Sequence, residues 1–248
     1  MGSKKNGMRQ LGSAATIAAA GCTLSLGAPA ATLQQPDNAS IVRQVDAAVR
    51  ARFEGIGGYT VTEHYAVYRN HNESHPAAEM TVKTTYQKDR GKSYDIVSET
   101  GEGILLKFGL HPLLDNEKRI NDPANREASW FTSANYEMKL KSPDPEQLDG
   151  RQCYALAIKP RRKAPNLIIG TLWVDASDFT VVRLDGTASK SPSIWSGPPH
   201  MMRDYARMDG FSEATHARAV SDSALFGETV VTIDYQNYQF QLNQAQRQ

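Results

Sequence analysis

The sequence predicts an α+β protein: a large curled antiparallel sheet, an unclosed β-barrel of about ten or eleven strands, covered on its concave side by an N-terminal helix and a short mid-chain helical or lid segment. Three observations carry this. Residues 41–53 repeat apolar side chains at helical spacing. Most of the rest alternates apolar and polar residues in runs of strand length, separated by turn residues. Between those runs the most apolar stretch, residues 104–114, is broken by Gly109 and Pro112.

Asp37 or Asn38 caps the helix, whose stripe is Ile41, Val42, Val45, Ala48, Val49 and Phe53. Gly55, Gly57 and Gly58 end it. Residues 59–69 then alternate, with Tyr59, Val61, Tyr65 and Val67 on one face, and residues 70–78 form a polar loop. Met80, Val82, Thr84 and Tyr86 share the next strand's inner face, and a turn at 89–92 leads into residues 93–99. Pro112 limits residues 104–114 to one or two short helical turns, and residues 116–128 read as polar surface. Strands resume at about 134–141, 152–159, 167–174, 179–186, 202–209, 213–221 and 228–240. Turns this short join neighbours in an antiparallel sheet, and a sheet this wide curls.

The first thirty residues read as a secretory signal. Lys4, Lys5 and Arg9 precede an apolar stretch, and Ala28-Pro29-Ala30 supplies small residues for cleavage, leaving residues 31–248 as one domain. The alternative is a lipoprotein signal cut before Cys22: Ala19-Ala20-Gly21-Cys22 resembles the bacterial motif in which the cysteine is acylated, and Thr23 after it favours the outer membrane. The domain is expected in the periplasm or, if lipidated, anchored to the outer membrane, with no transmembrane span in the mature chain. Loss of three lysine and arginine residues takes 28 basic residues to 25 against 27 acids, near neutrality. That argues against nucleic acid, which demands a concentrated positive field. With Cys153 the one remaining thiol, no internal disulfide forms and the fold rests on burial.

Motifs for chemistry are missing. His71 and His75 lie four apart with Glu73 between them, but in a loop, without the helical spacing that aims two rings at one ion. There is no Gly-x-Ser-x-Gly elbow and no phosphate-cradling glycine loop. No catalytic residue, metal ligand or cofactor is assigned, and the chain is read as a non-enzyme. The basic run 159–163 is expected at the solvated tip of a hairpin.

The apolar faces remain. If continuous, they make the concave side greasy, and the helix 41–53 with the segment 104–114 must cover it. Either these two elements fill the hollow as an ordinary core, or they leave room for a ligand. The expected lining residues are Tyr65, Val67, Met80, Val82, Leu156, Leu172, Val182 and Ile233 from the strands. Val45 and Val49 come from the helix, and Leu105 and Phe108 from the lid segment.

Four phrases resemble a known family: residues 154–160 (Tyr-Ala-Leu-Ala-Ile-Lys-Pro), 170–175 (Gly-Thr-Leu-Trp-Val-Asp), 179–186 (Phe-Thr-Val-Val-Arg-Leu-Asp-Gly) and 231–238 (Val-Thr-Ile-Asp-Tyr-Gln-Asn-Tyr). They are similar to the outer-membrane lipoprotein-sorting superfamily, the periplasmic lipoprotein-carrier fold. The likeness extends over most of residues 37–240. It implies an open half-barrel wrapped over helices, with a hydrophobic cavity for acyl chains of lipid or lipoprotein. The function expected is an exported carrier that shields those chains. An envelope sensor on the same fold, binding a membrane-protein partner, is the alternative, and an envelope hydrolase ranks third.

Overall fold

The computed structural model describes residues 37–191, 197–223 and 227–242. The residues read as a secretory signal, and Cys22, lie outside them. Helix α1 (Asn38–Gly55) runs directly into β1 (Ile56–Arg69), which is followed by β2 (Ala78–Gln87) and β3 (Gly91–Gly101). A helical stretch follows: α2 (Gly103–Leu105), a π-helical turn (Leu106–Leu110), α3 (His111–Ile120) and a 3-10 turn (Arg126–Ser129). Then come β4 (Tyr136–Leu140), β5 (Glu146–Leu148), β6 (Arg151–Pro160), β7 (Ile168–Asp175), β8 (Val181–Ala188), β9 (His200–Met208), β10 (Phe211–Ser223) and β11 (Gly227–Leu242).

All eleven strands among the described residues belong to one antiparallel sheet, in the order β3-β2-β1-β11-β10-β9-β8-β7-β6-β4, with β5 also on β6. Pairing of β1 with β11 joins the two sequence halves, and β3 and β4 remain unpaired edges, so the barrel is open. Register shifts at Thr60/Thr62, Thr81/Val82, Trp173/Val174 and Ala214/His216 bend the strands, as bulges do.

Helix α1 forms where the sequence predicts it. The Asp37 carboxylate accepts from Ser40 N at 2.6 Å, capping the first turn. Ile41, Val45 and Val49 then fall on one buried stripe, each contributing roughly 1.5–3 kcal/mol by burial. The helix is also stitched to the sheet. Asn38 accepts from Leu140 N at 2.6 Å, occupying the edge backbone of β4. Asp46 accepts from Ser133 N at 2.7 Å, and Phe53 stacks on Trp130 at 4.2 Å between ring centroids.

Three differences from the sequence reading have local causes. β5 is three residues long, too short for alternation to register. The stretch 116–128 is not uniformly surface, because α3 continues to Ile120 and turns Glu117 inward. In the basic run, Arg161 donates to Ser133 O at 2.9 Å and Arg162 to Ala128 O at 2.5 Å, so these side chains clamp a neighbouring segment as well as meeting solvent.

Candidate ligand-binding site

Three apolar clusters form on the sheet; helical elements enter two of them, and the third, Ile56, Tyr59, Val61, Tyr86 and Phe211, is built from strand residues alone. Under α1, Val45 and Val49 pack with Tyr154, Leu156, Leu172 and Leu184 from β6, β7 and β8. Under the helical stretch 103–120, Tyr65, Val67, Met80, Val82, Ala217 and Ile233 from β1, β2, β10 and β11 form a trough that receives Leu105, Leu110 and Leu114. The buried residues of these two cores are at most 9% exposed; α1 with Trp130 and Phe131 occupies the first, and the three leucines with Leu106 and Leu113 occupy the second.

The lid's geometry follows from its sequence. Leu105 and Leu110 are five apart, and in a regular α-helix they would diverge. Pro112 brings no N–H to the ladder, and the preceding turn widens to a π turn in which His111 N donates to Leu106 O. The extra residue returns Leu110 and Leu114 to the face that holds Leu105. The outer face is left with Ile104, 49% exposed, and Phe108, 64% exposed. The lid is tied at His111 Nε2–Glu99 Oε1, 2.5 Å, and at Lys92 Nζ–Glu117 Oε2, 3.2 Å.

Ten of the twelve expected lining residues therefore lie in the two cores: Val45, Val49, Leu156 and Leu172 under α1, and Tyr65, Val67, Met80, Val82, Leu105 and Ile233 under the lid. Two do not. Phe108 sits on the outer face of the π turn. Val182 belongs to neither core and lines an open surface cleft of about 480 Å³ among Asp149, Arg151, Asp175 and Asp204. The cause is the bulge on the β7–β8 pairing, which sets Val181 rather than Val182 opposite Val174 and breaks the simple alternation. In that cleft the charges are paired, Arg151 with Asp175 at 2.8 Å and Arg183 with Asp204 at 2.5 Å.

A polar seam, absent from the sequence reading, runs along the trough. Lys92 at the start of β3 and Glu117 of α3 form its ion pair, with Asn121 Nδ2 donating to the same carboxylate oxygen at 3.3 Å. Arg203 joins from β9, in register with Ala217, which lines the trough. Glu63, 1% exposed, accepts from Tyr65 OH. Glu63 Oε1, Tyr94 OH and Arg203 Nε are buried and lack a hydrogen-bond partner among the described residues. Burial opposes ionisation of Glu117, but Lys92 and Arg203 outweigh it and hold the carboxyl below its ordinary value. Burial likewise opposes the Lys92 charge, and Tyr59 and Glu117 more than offset it, so its pKa is raised. A signal for this seam exists in the sequence: Glu63 interrupts Tyr59, Val61, Tyr65 and Val67, and Arg203 sits between Met201 and Tyr205. A charge on an apolar face marks a site to inspect.

Among the described residues no group of three or more metal-ligating side chains forms, and no helix is long and apolar enough to cross a membrane. No protein-family model and no curated protein matches the chain. Solved structures do. A LolA superfamily protein from Nitrosomonas europaea matches at TM-score 0.42 and 13% identity, covering 82% of this chain and 93% of that one. A putative outer membrane lipoprotein-sorting protein domain from Vibrio parahaemolyticus matches at TM-score 0.47 and 14% identity, over 82% and 94%. A DUF1329 family protein from Desulfovibrio piger matches at TM-score 0.40 and 14% identity, over 81% and 92%. At these identities and TM-scores the likeness assigns no activity.

Proposed function

We propose that this chain is an exported carrier that shields the acyl chains of a lipid or lipoprotein in the trough beneath residues 103–120. The observation that carries the reading is that one short segment covers this part of the concave face and enters it through three leucines. The magnitudes suit reversible loading. Withdrawing three leucines from burial costs roughly 1.5–3 kcal/mol each. An acyl chain of about twelve carbons gains about 10 kcal/mol at about 0.8 kcal/mol per methylene, before the cost of ordering it. The two terms are of similar size, so lid and ligand exchange without a deep trap on either side. Such a role needs a cavity and a moving cover, and no catalyst. The setting is the periplasm, with the chain free or held at the outer membrane through Cys22.

The test is native mass spectrometry of the full chain recovered from its native envelope, with titration of a fluorescent dodecanoyl probe. A co-purifying acyl species is expected, together with probe binding that Val82→Trp, which fills the trough, weakens about tenfold. Empty protein, or probe binding indifferent to Val82→Trp, overturns the reading.

A second reading has its own observation. Ile96 and Val97 on edge strand β3, 47% and 67% exposed, add to Ile104 and Phe108 on the lid. Exposed apolar side chains at a free edge favour an interaction domain that docks a membrane-protein partner. A pull-down that enriches one membrane protein, with no lipid bound, would favour it.

A further inference from the structure

We propose that Lys92 and Arg203 form a binding site for the anionic headgroup of the amphiphile whose chain enters the trough, and that Glu117 of the lid occupies this site when the lid is shut. The inference rests on the carrier reading and adds the ligand's head chemistry to it: a phosphate or carboxylate.

The lid has the pattern of such a ligand. Along its inner face come Leu105, Leu110 and Leu114, then Glu117, three residues after Leu114 and on the same side of α3. This is an apolar run ending in one negative charge. The charge meets a receptor built into the sheet: Lys92 Nζ lies 3.2 Å from the carboxylate, with side-chain exposures of 12% and 18% for Lys92 and Glu117. Arg203, on the trough-facing side of β9 opposite Ala217, acts on the same carboxylate; its guanidinium also hydrogen-bonds Tyr205, while its Nε is buried with no partner among the described residues.

Charge arithmetic selects an anion. With the lid in place, the Glu117 carboxylate lies 3.2 Å from Lys92 and acts on Arg203 as well. When α3 withdraws, Glu117 leaves and takes its negative charge away from both cations. A semi-buried cation stripped of its partner is strongly destabilising, so withdrawal needs a replacement negative charge. A lysine and an arginine that act on one carboxylate suit a phosphate or carboxylate in its place, since guanidinium meets either oxyanion through paired N–H groups. The head lodges there only if its chain follows the groove that Leu114 and Leu110 vacate, which favours an amphiphile over a free ion.

The experiment uses the full chain with single-chain amphiphiles below their micelle-forming concentrations: dodecyl phosphate, dodecyl maltoside and dodecyltrimethylammonium, with inorganic phosphate alone as a fourth probe. Dodecyl phosphate is expected to bind about tenfold more tightly than the other two. Arg203→Gln should abolish that preference, so that dodecyl phosphate binds the variant no more tightly than dodecyl maltoside does. Glu117→Gln, which removes the competing carboxylate and keeps the side-chain shape, should tighten dodecyl phosphate several-fold, a gain that misfolding cannot produce. Equal binding of the three heads, or weaker dodecyl phosphate binding by Glu117→Gln, overturns the headgroup site and leaves the carrier reading standing. Inorganic phosphate binding to Glu117→Gln as tightly as dodecyl phosphate shows a free-oxyanion site and overturns the amphiphile. Failure of every amphiphile to bind sinks the carrier reading and this inference with it.

Discussion

Arg52 Nη2, in the last turn of α1, lies 2.6 Å from Glu213 Oε2 on β10, and the same guanidinium donates through Nε to Ser212 O at 3.1 Å. The helix covering one part of the concave face is thereby clipped to the middle of the sheet. Glu213 is 2% exposed, and its other oxygen has no partner among the described residues. Removing the arginine leaves a buried carboxylate uncompensated. Arg52→Ala is expected to destabilise the protein by roughly 3–5 kcal/mol, and the double variant Arg52→Ala/Glu213→Gln by less, since no bare charge remains. Denaturant unfolding of the two variants and the parent checks the order.

The lid's ion pair implies a pH window. Glu117 is held below its ordinary 4.5, so its contribution is present above that value and is lost as pH falls through the lower folded value. Lys92 is held above its ordinary 10.5, so its contribution is complete below that value and fades as pH climbs past it. The groups facing Glu117 are Lys92 on β3, Arg203 on β9 and Asn121 beside it; Tyr59, Tyr94 and Glu63 act on Lys92, and Tyr235 and Tyr205 on Arg203. A spin label on exposed position 118 should therefore be immobile from neutral pH to about 10 and loosen below about pH 4.5. Lys92→Met should remove the acid transition, and an unchanged one would show that the pair does not hold the lid.

Reading the sequence alone recovers what is periodic and local. Alternation at Tyr59, Val61, Tyr65 and Val67, and at Met80, Val82, Thr84 and Tyr86, places those residues on the inner face, and the spacing of Ile41, Val45 and Val49 places α1. Features that depend on a register or on a distant partner stay hidden. Val182 is displaced by a bulge whose cause lies in its pairing with β7. Phe108 is turned outward by a π turn that helical spacing does not encode. Lys92, Glu117 and Arg203 come from β3, α3 and β9, and only the curl of the sheet brings them to one place.

Two lid residues, two positions apart, should behave oppositely. Leu110 is 1% exposed and Phe108 is 64% exposed. Leu110→Ala is expected to cost roughly 2–5 kcal/mol if the lid unfolds with the rest of the protein. Phe108→Ala should stay within about 0.5 kcal/mol of the parent. If the lid opens as an independent unit, Leu110→Ala will leave the global midpoint in place and raise hydrogen exchange across residues 103–120 alone. Exchange and denaturation measured on the same samples separate the two cases.

Gly91 and Gly150 offer a controlled comparison. Both adopt left-handed backbone, at φ +82° and +80°, where a side chain costs roughly 1–2 kcal/mol. They differ in what a Cβ would meet. At Gly150 nothing lies within 4 Å, whereas at Gly91 the Cβ would stand 2.7 Å from Asn121 O, just past the end of α3, with the Asp122 backbone at 3.3 Å. Gly150→Ala should therefore show only the conformational cost. Gly91→Ala should exceed it and displace the end of the lid near Glu117. If the carrier reading holds, Gly91→Ala also speeds uptake of a dodecanoyl probe while Gly150→Ala does not, because only the first disturbs the contact that keeps Glu117 against Lys92. Equal stability losses and equal uptake rates in the two variants would show that the end of α3 plays no part in closing the trough.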